Sequence, residues 1–229
     1  MSMSVAISKN SRILALFAIA CTAIVGIVNE LTKDIIYLQQ QKQLLSTLTK
    51  IIEPERYNNE LTLDCVKVSS PALGSDKQQT VYLARLNSIP VAAAITAIAP
   101  NGYNGNIELI VAINVDGSIN GVRILDHKET PGLGDKIEIT KSSWITSFSG
   151  KSLMSQNDSR WAVAKDGGMF DQFTGATITP RAVVEAVKET ALYFKENQDY
   201  LFTQKNDCQL KKKISISTNK EKAIDDNEN

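Results

Sequence analysis

Residues 13–31 constrain this chain more than any other feature. From Ile13 to Val28 no side chain carries a charge, and Asn29, Glu30 and Leu31 extend the run to 19 residues. At about 1.5 Å per residue a helix of that length covers roughly 28 Å, close to the thickness of a bilayer's hydrocarbon core. Three fates are open to such a segment. Signal cleavage could follow the small-x-small tripeptide Ala18-Ile19-Ala20, and a lipoprotein signal would leave Cys21 as the modified residue. Either cut falls in the middle of the run and leaves a mature chain beginning Cys-Thr-Ala-Ile-Val-Gly-Ile-Val, a poor start for a soluble protein. An uncleaved anchor uses the whole length, and residues 13–31 are read as a transmembrane helix. Charge alone does not orient it, because Lys9 and Arg12 on one side nearly balance Lys33 and Lys42 on the other. The short tail, residues 1–12, would have to carry the cytoplasmic preference.

Beyond the anchor, residues 32–60 read as a helical stalk. Leu38, Leu44, Leu45, Leu48 and Ile52 form a broken apolar stripe, and no Gly or Pro intervenes before Pro54. The stripe either lifts a domain off the membrane or meets a partner helix. Strand patterns occupy 80–86, 91–99, 106–115 and 119–125. Asp116-Gly117-Ser118 is a hairpin signal, and Ile107, Leu109, Val111 and Ile113 alternate as one buried face. Thr179-Pro180 reads as an N-cap and first helical residue, opening an amphipathic helix to about residue 197. The fold class is α+β: one transmembrane helix, then a domain over 61–203 with an antiparallel sheet and packed helices. Residues 204–229, rich in Lys, Asp and Glu, read as a solvated tail.

Composition narrows the chemistry. Lys plus Arg and Asp plus Glu each total 25, which argues against a nucleic-acid partner. One histidine and three cysteines are too few for a multi-histidine zinc site or a four-cysteine cluster, so no metal site is expected. Cys65 and Cys208 could pair in an oxidising compartment, but the composition around Cys208 favours two unpaired thiols.

Three turn clusters remain. Asp171-Gln172-Phe173-Thr174-Gly175-Ala176-Thr177 runs directly into a helix start, where unpaired N–H groups and the positive dipole end suit a phosphate. Gly175 lets backbone approach a ligand closely. A threonine-rich turn capped by Thr179 is the plainer alternative. His127-Lys128-Glu129-Thr130-Pro131-Gly132-Leu133-Gly134 has its shape fixed by proline and glycine, and Asn101-Gly102-Tyr103-Asn104-Gly105 links two strands. His127, alone of its kind, reads as structural rather than catalytic. Trp144, near Ile137, Ile145 and Phe148, reads first as packing and second as a ring contact.

In this order and spacing the three clusters resemble the covalent FMN-binding domain family, over roughly residues 10 to 200. Asp-x-x-Thr-Gly-Ala-Thr together with Glu-Thr-Pro-Gly-Leu-Gly carries the likeness. The resemblance implies an electron-carrying subunit, with no catalytic site of its own, in a membrane complex of the NADH/ferredoxin type coupled to ion translocation. It further implies an inner-membrane location with the domain in the periplasm, and other subunits of the complex as partners. A flavin transferase would move FMN from FAD onto Thr177 as a phosphoester. Thr174 stands where the family more often has serine and keeps a hydroxyl. By the same resemblance Gly175, Ala176 and Ile178 lie against the phosphate and ribityl chain, with Thr174 beside them. Glu129, Thr130, Pro131, Gly132, Leu133 and Gly134 lie near the flavin, and Trp144 and Tyr103 near its ring. The alternatives are a relative from sodium-translocating NADH:quinone reductase, which carries a similar domain, and an anchored interaction module without a cofactor.

Overall fold

The computed structural model describes residues 3–208, without the side chains of residues 3–9 and 34. The chain divides into two compact units between Leu44 and Leu45. The first is most of a single long helix, α1, Met3–Ile51; Gly26 lies inside it without breaking it, and the first proline comes after it. Within α1 the stretch Asn10–Lys33 is long and apolar enough to cross a membrane, and none of that window is buried against protein.

The second unit is built on a five-stranded antiparallel meander in the order β1-β2-β3-β4-β5. Its strands are β1 (Cys65–Ser70), β2 (Ser75–Leu86), β3 (Ile89–Gly102), β4 (Gly105–Asn114) and β5 (Ile119–Asp126). The four strands expected from the hydrophobic pattern are present, three of them longer and β4 shifted by one residue, and β1 is an addition. Asn87 and Ser88 both take positive φ, 51° and 68°, as a two-residue hairpin loop requires.

The two faces of the sheet are built differently. On one face Val81, Ile95, Val111 and Val122 pair across four strands and are fully buried. There they join the core with Val183, Val187 and Phe194 of α2 (Ile178–Thr203). The opposite face is paved with small residues: Ala84, Ala92, Ala94 and Ala112 are fully buried, and Ala112 pairs with Gly121. The end of α1 lies there. A Cβ on Gly121 would sit 3.1 Å from the side chain of Ile51, and Asn120 Nδ2 donates to the Ile51 carbonyl at 2.6 Å. Leu48, Ile51 and Ile52 are buried. The expected stalk is therefore not one free piece. Its helical end at Ile51 packs on β5 of the same chain, where Gly121 leaves room for it, and residues 54–56 and 61–63 are short 3-10 turns.

Two boundaries differ from expectation. Helix α2 begins at Ile178, with Thr177 already at φ −91°, ψ −29°, so Pro180 occupies the third helical position. Its missing N–H is still one of the unpaired donors of the first turn, so the position tolerates it. The helix ends at Thr203 rather than near residue 197, since nothing between them interrupts it. The chain then returns to β1: Asp207 N–H donates to the Cys65 carbonyl at 2.9 Å and Lys67 N–H to Asp207 Oδ2 at 2.9 Å. Cys65 and Cys208 form a disulfide with a Cα–Cα distance of 5.4 Å, in place of the two unpaired thiols that composition favoured. Residues 204–208 are thus docked rather than tail, and the rest of the expected tail, 209–229, lies outside the described residues.

Candidate functional site

Between β5 and α2 the chain forms no strand and only short 3-10 turns, at Gly134–Ile137, Trp144–Phe148 and Ala164–Asp166. Packing of Trp144, Phe148, Trp161, Phe170 and Phe173 holds it, with neighbouring ring centroids 4.4–6.2 Å apart. Phe170 and Phe173 are buried while Asp171, Gln172 and Thr174 are exposed, so the threonine-rich segment is pinned by two phenyl rings and presented outward. Gly175 takes φ +81° to turn the chain into α2, a conformation few other residues adopt.

The loop after β5 is folded by its own backbone. The Thr130 carbonyl accepts the N–H groups of Leu133 and Gly134, both at 3.1 Å. His127 Nδ1 accepts the Glu129 N–H at 3.0 Å, which places the ring proton on Nε2, donated to Glu138 Oε1 at 2.8 Å. That hydrogen bond is the main reason the Glu138 carboxyl is held below its ordinary value. The histidine thus links the Glu129 backbone to Glu138.

The three clusters meet at a cavity of about 280 Å³ lined by Tyr103, Glu129, Thr130, Leu133, Gly134 and the run 175–179. Tyr103, Leu133 and Ile178 are exposed enough to form an apolar rim. Thr177 occupies the N-cap position of α2 but makes no side-chain capping bond, so its hydroxyl is not consumed by the helix. Thr179, read from the sequence as the cap, is fully buried and donates its hydroxyl to Glu129 Oε2. It belongs to the cavity wall, a role that reading it as a cap does not reveal.

Pro131, Gly132 and Thr174 do not line the cavity, although they shape the loops that do. Trp144 is likewise absent from the wall. Its indole N–H donates to the Asp171 carbonyl at 2.7 Å and its ring meets Phe173 edge-on at 5.1 Å, so it supports the threonine segment from behind. Packing is the first reading of Trp144 from its sequence neighbours, and these contacts are of that kind.

A helix start without capping bonds, a glycine approach and an apolar rim together define a small-molecule site suited to a phosphorylated aromatic ligand. Residues 102–191 match the FMN-binding domain, and residues 1–51 match the RnfG N-terminal region. The chain is 53% identical over 204 residues to the G subunit of the ion-translocating oxidoreductase complex of Shewanella oneidensis, covering 89% of this chain and 96% of that one. It is 53% identical to the same protein of Aliivibrio fischeri, with 89% and 97% covered, and 49% identical to that of Vibrio parahaemolyticus, with 90% and 98% covered. The chain belongs to the RnfG family of ion-translocating oxidoreductase complex subunits and carries its FMN-binding domain.

Proposed function

We propose that this chain is an electron-carrying subunit of a membrane complex that couples electron transfer of the NADH/ferredoxin type to ion translocation, with FMN held covalently on Thr177. The observation that carries the assignment is the contrast among three threonines. Thr179 is buried and engaged by Glu129, and Thr174 is exposed outside the cavity. Thr177 alone of the three lines the cavity with a hydroxyl free of capping.

The residues present suit the group. The N–H groups of Ile178 and Thr179 have no acceptor within the helix and point toward the helix start, where a phosphodiester would be stabilised. Tyr103, Leu133 and Ile178 offer an apolar rim to a flat ring. When bound, FMN supplies the reversible electron transfer; the polypeptide binds, orients and shields it. In the attachment step a flavin transferase would break the pyrophosphate of FAD, join the FMN phosphorus to Thr177 Oγ1 and release AMP, the hydroxyl proton leaving with it. No electrons change hands.

The Cys65–Cys208 disulfide supports a periplasmic location for the second unit, because such bonds persist on the oxidising side of the inner membrane. Residues 1–12 would then be cytoplasmic, and the other subunits of the complex would supply and remove electrons.

Intact mass and in-gel fluorescence of the full chain, expressed with a flavin transferase, test the assignment. The expected result is a mass gain of one FMN less one water and a fluorescent denatured band, both lost in Thr177→Ala and kept in Thr174→Ala. A wild-type band without flavin would refute it.

A further inference from the structure

We infer that Glu129 is the positioning residue of this site. Its carboxylate ties together the three chain segments that form the cavity and places a negative charge in the cavity wall. The inference deepens the FMN reading and rests on it for its electrostatic part only.

Glu129 is 5% exposed. Its Oε1 accepts the Asn104 N–H at 3.0 Å, from the turn between β3 and β4. Its Oε2 accepts the Thr179 hydroxyl, from the first turn of α2. Its own backbone N–H is fixed on His127. Residues 25 and 50 positions away from Glu129 in sequence thus share its carboxylate. Gly134 is accounted for by the same group, and Gly102 lies beside it, although a Cβ there would first meet the Gly105 carbonyl oxygen at 2.3 Å. A Cβ on Gly102 would fall 2.9 Å from Glu129 Oε1, and one on Gly134 would fall 2.9 Å from Oε2. The missing side chain at Gly134 leaves room for this carboxylate where the segments close on it.

Among the described residues Glu129 makes no ion pair. A buried carboxylate without a cation is expensive to keep for stability alone, and an apolar or amide residue would close the gap at lower cost. Its presence is accounted for by two roles. Fixed acceptors on one group assemble the cavity before a cofactor arrives, which lowers the ordering cost of binding. A fixed negative charge in the cavity wall also opposes the charge an electron adds to a bound flavin, and so lowers its reduction potential.

The test uses the full chain in detergent with Glu129→Gln, Glu129→Ala and Thr179→Val. Without flavin, hydrogen–deuterium exchange of the peptide containing Asn104 should be as slow in Glu129→Gln as in wild type. It should be at least tenfold faster in Glu129→Ala. FMN incorporation by the transferase should fall at least tenfold in Glu129→Ala and remain near wild type in Glu129→Gln. The loaded Glu129→Gln protein should show a more positive midpoint potential than wild type, while loaded Thr179→Val, which keeps the charge, should shift less. Unchanged exchange at Asn104 and unchanged incorporation in Glu129→Ala overturn the positioning role. A loaded Glu129→Gln protein with the wild-type potential overturns the electrostatic one. If wild type takes up no flavin, the FMN reading fails, and the exchange measurement still decides whether Glu129 holds the three segments.

Discussion

Removing the disulfide isolates one quantity that the structure makes calculable. Cys65 and Cys208 are 143 residues apart, so the bond closes nearly the whole second unit into one loop. The chain-entropy relation for a loop of that length gives about 5 kcal/mol, and measured losses for native disulfides run to about 2–5 kcal/mol. For a domain of this size each kcal/mol is worth about 2–4 °C in Tm, so Cys65→Ser/Cys208→Ser should melt about 4–20 °C lower than wild type. The native state should change little, because Asn206 and Asp207 keep their hydrogen bonds to the 63–67 segment and hold the chain end in place. The loss therefore falls on the unfolded chain, which the bond restricts. Tryptophan fluorescence is a suitable readout, since Trp144 and Trp161 both lie in the second unit. Reductant should lower the Tm of wild type by the same amount and leave the double variant unmoved. A double variant melting within about 2 °C of oxidised wild type would refute the loop-closure argument.

Two further outcomes rest on the same geometry. Gly134→Ala would force a methyl group to 2.9 Å from both Glu129 Oε2 and Thr179 Oγ1, which are buried and cannot move aside; it should cost about 1–3 kcal/mol in thermal unfolding and reduce flavin content by intact mass. Acid should destabilise the domain in a defined window. Asp158, Asp166 and Glu138 are held below the ordinary carboxylate range by hydrogen bonds from Arg160, Arg181 and His127 respectively. A depressed folded-state pKa contributes stability that is complete above the unfolded value and is lost as pH falls through the folded one, so Tm should be level above about pH 5 and fall below about pH 4. Equal Tm at about pH 3 and about pH 7 would contradict this.

Much of the architecture is legible in the chain itself, and the misses have physical causes. The meander can be read because Ile107, Leu109, Val111 and Ile113 alternate and Asp116-Gly117 marks a turn. Strand β1 cannot, because Cys65–Ser70 is short and mixed in polarity, and it is a strand only through pairing with β2. The docking of the end of α1 on β5 rests on Gly121 and Asn120 meeting Ile51, which neither the helix pattern nor the strand pattern announces. The disulfide is masked by the charged composition around Cys208, since composition does not report which backbone a chain end reaches.

The site divides in the same way. Thr177, Gly175 and the 129–134 loop are visible as motifs because backbone shape there demands glycine and proline. The contact between Glu129 and Thr179 is not, since neither residue type at either position signals the other. For Trp144 the packing role is legible from its apolar neighbours but its partners are not: the indole N–H goes to the Asp171 carbonyl and the ring to Phe148 and Phe173.

The return of the chain to β1 has a consequence beyond stability. An outer strand of an open sheet presents unpaired N–H and C=O groups, and neighbouring molecules confined to a membrane surface meet far more often than molecules free in solution. Here the Cys65 carbonyl and the Lys67 N–H of that outer strand are already bonded to Asp207 of the same molecule. The sheet is thereby closed to strand addition by a second copy along this border, a common route by which crowded β proteins aggregate. A chain shortened before Asn206 would lose this protection together with the covalent link, and self-association would become its characteristic failure.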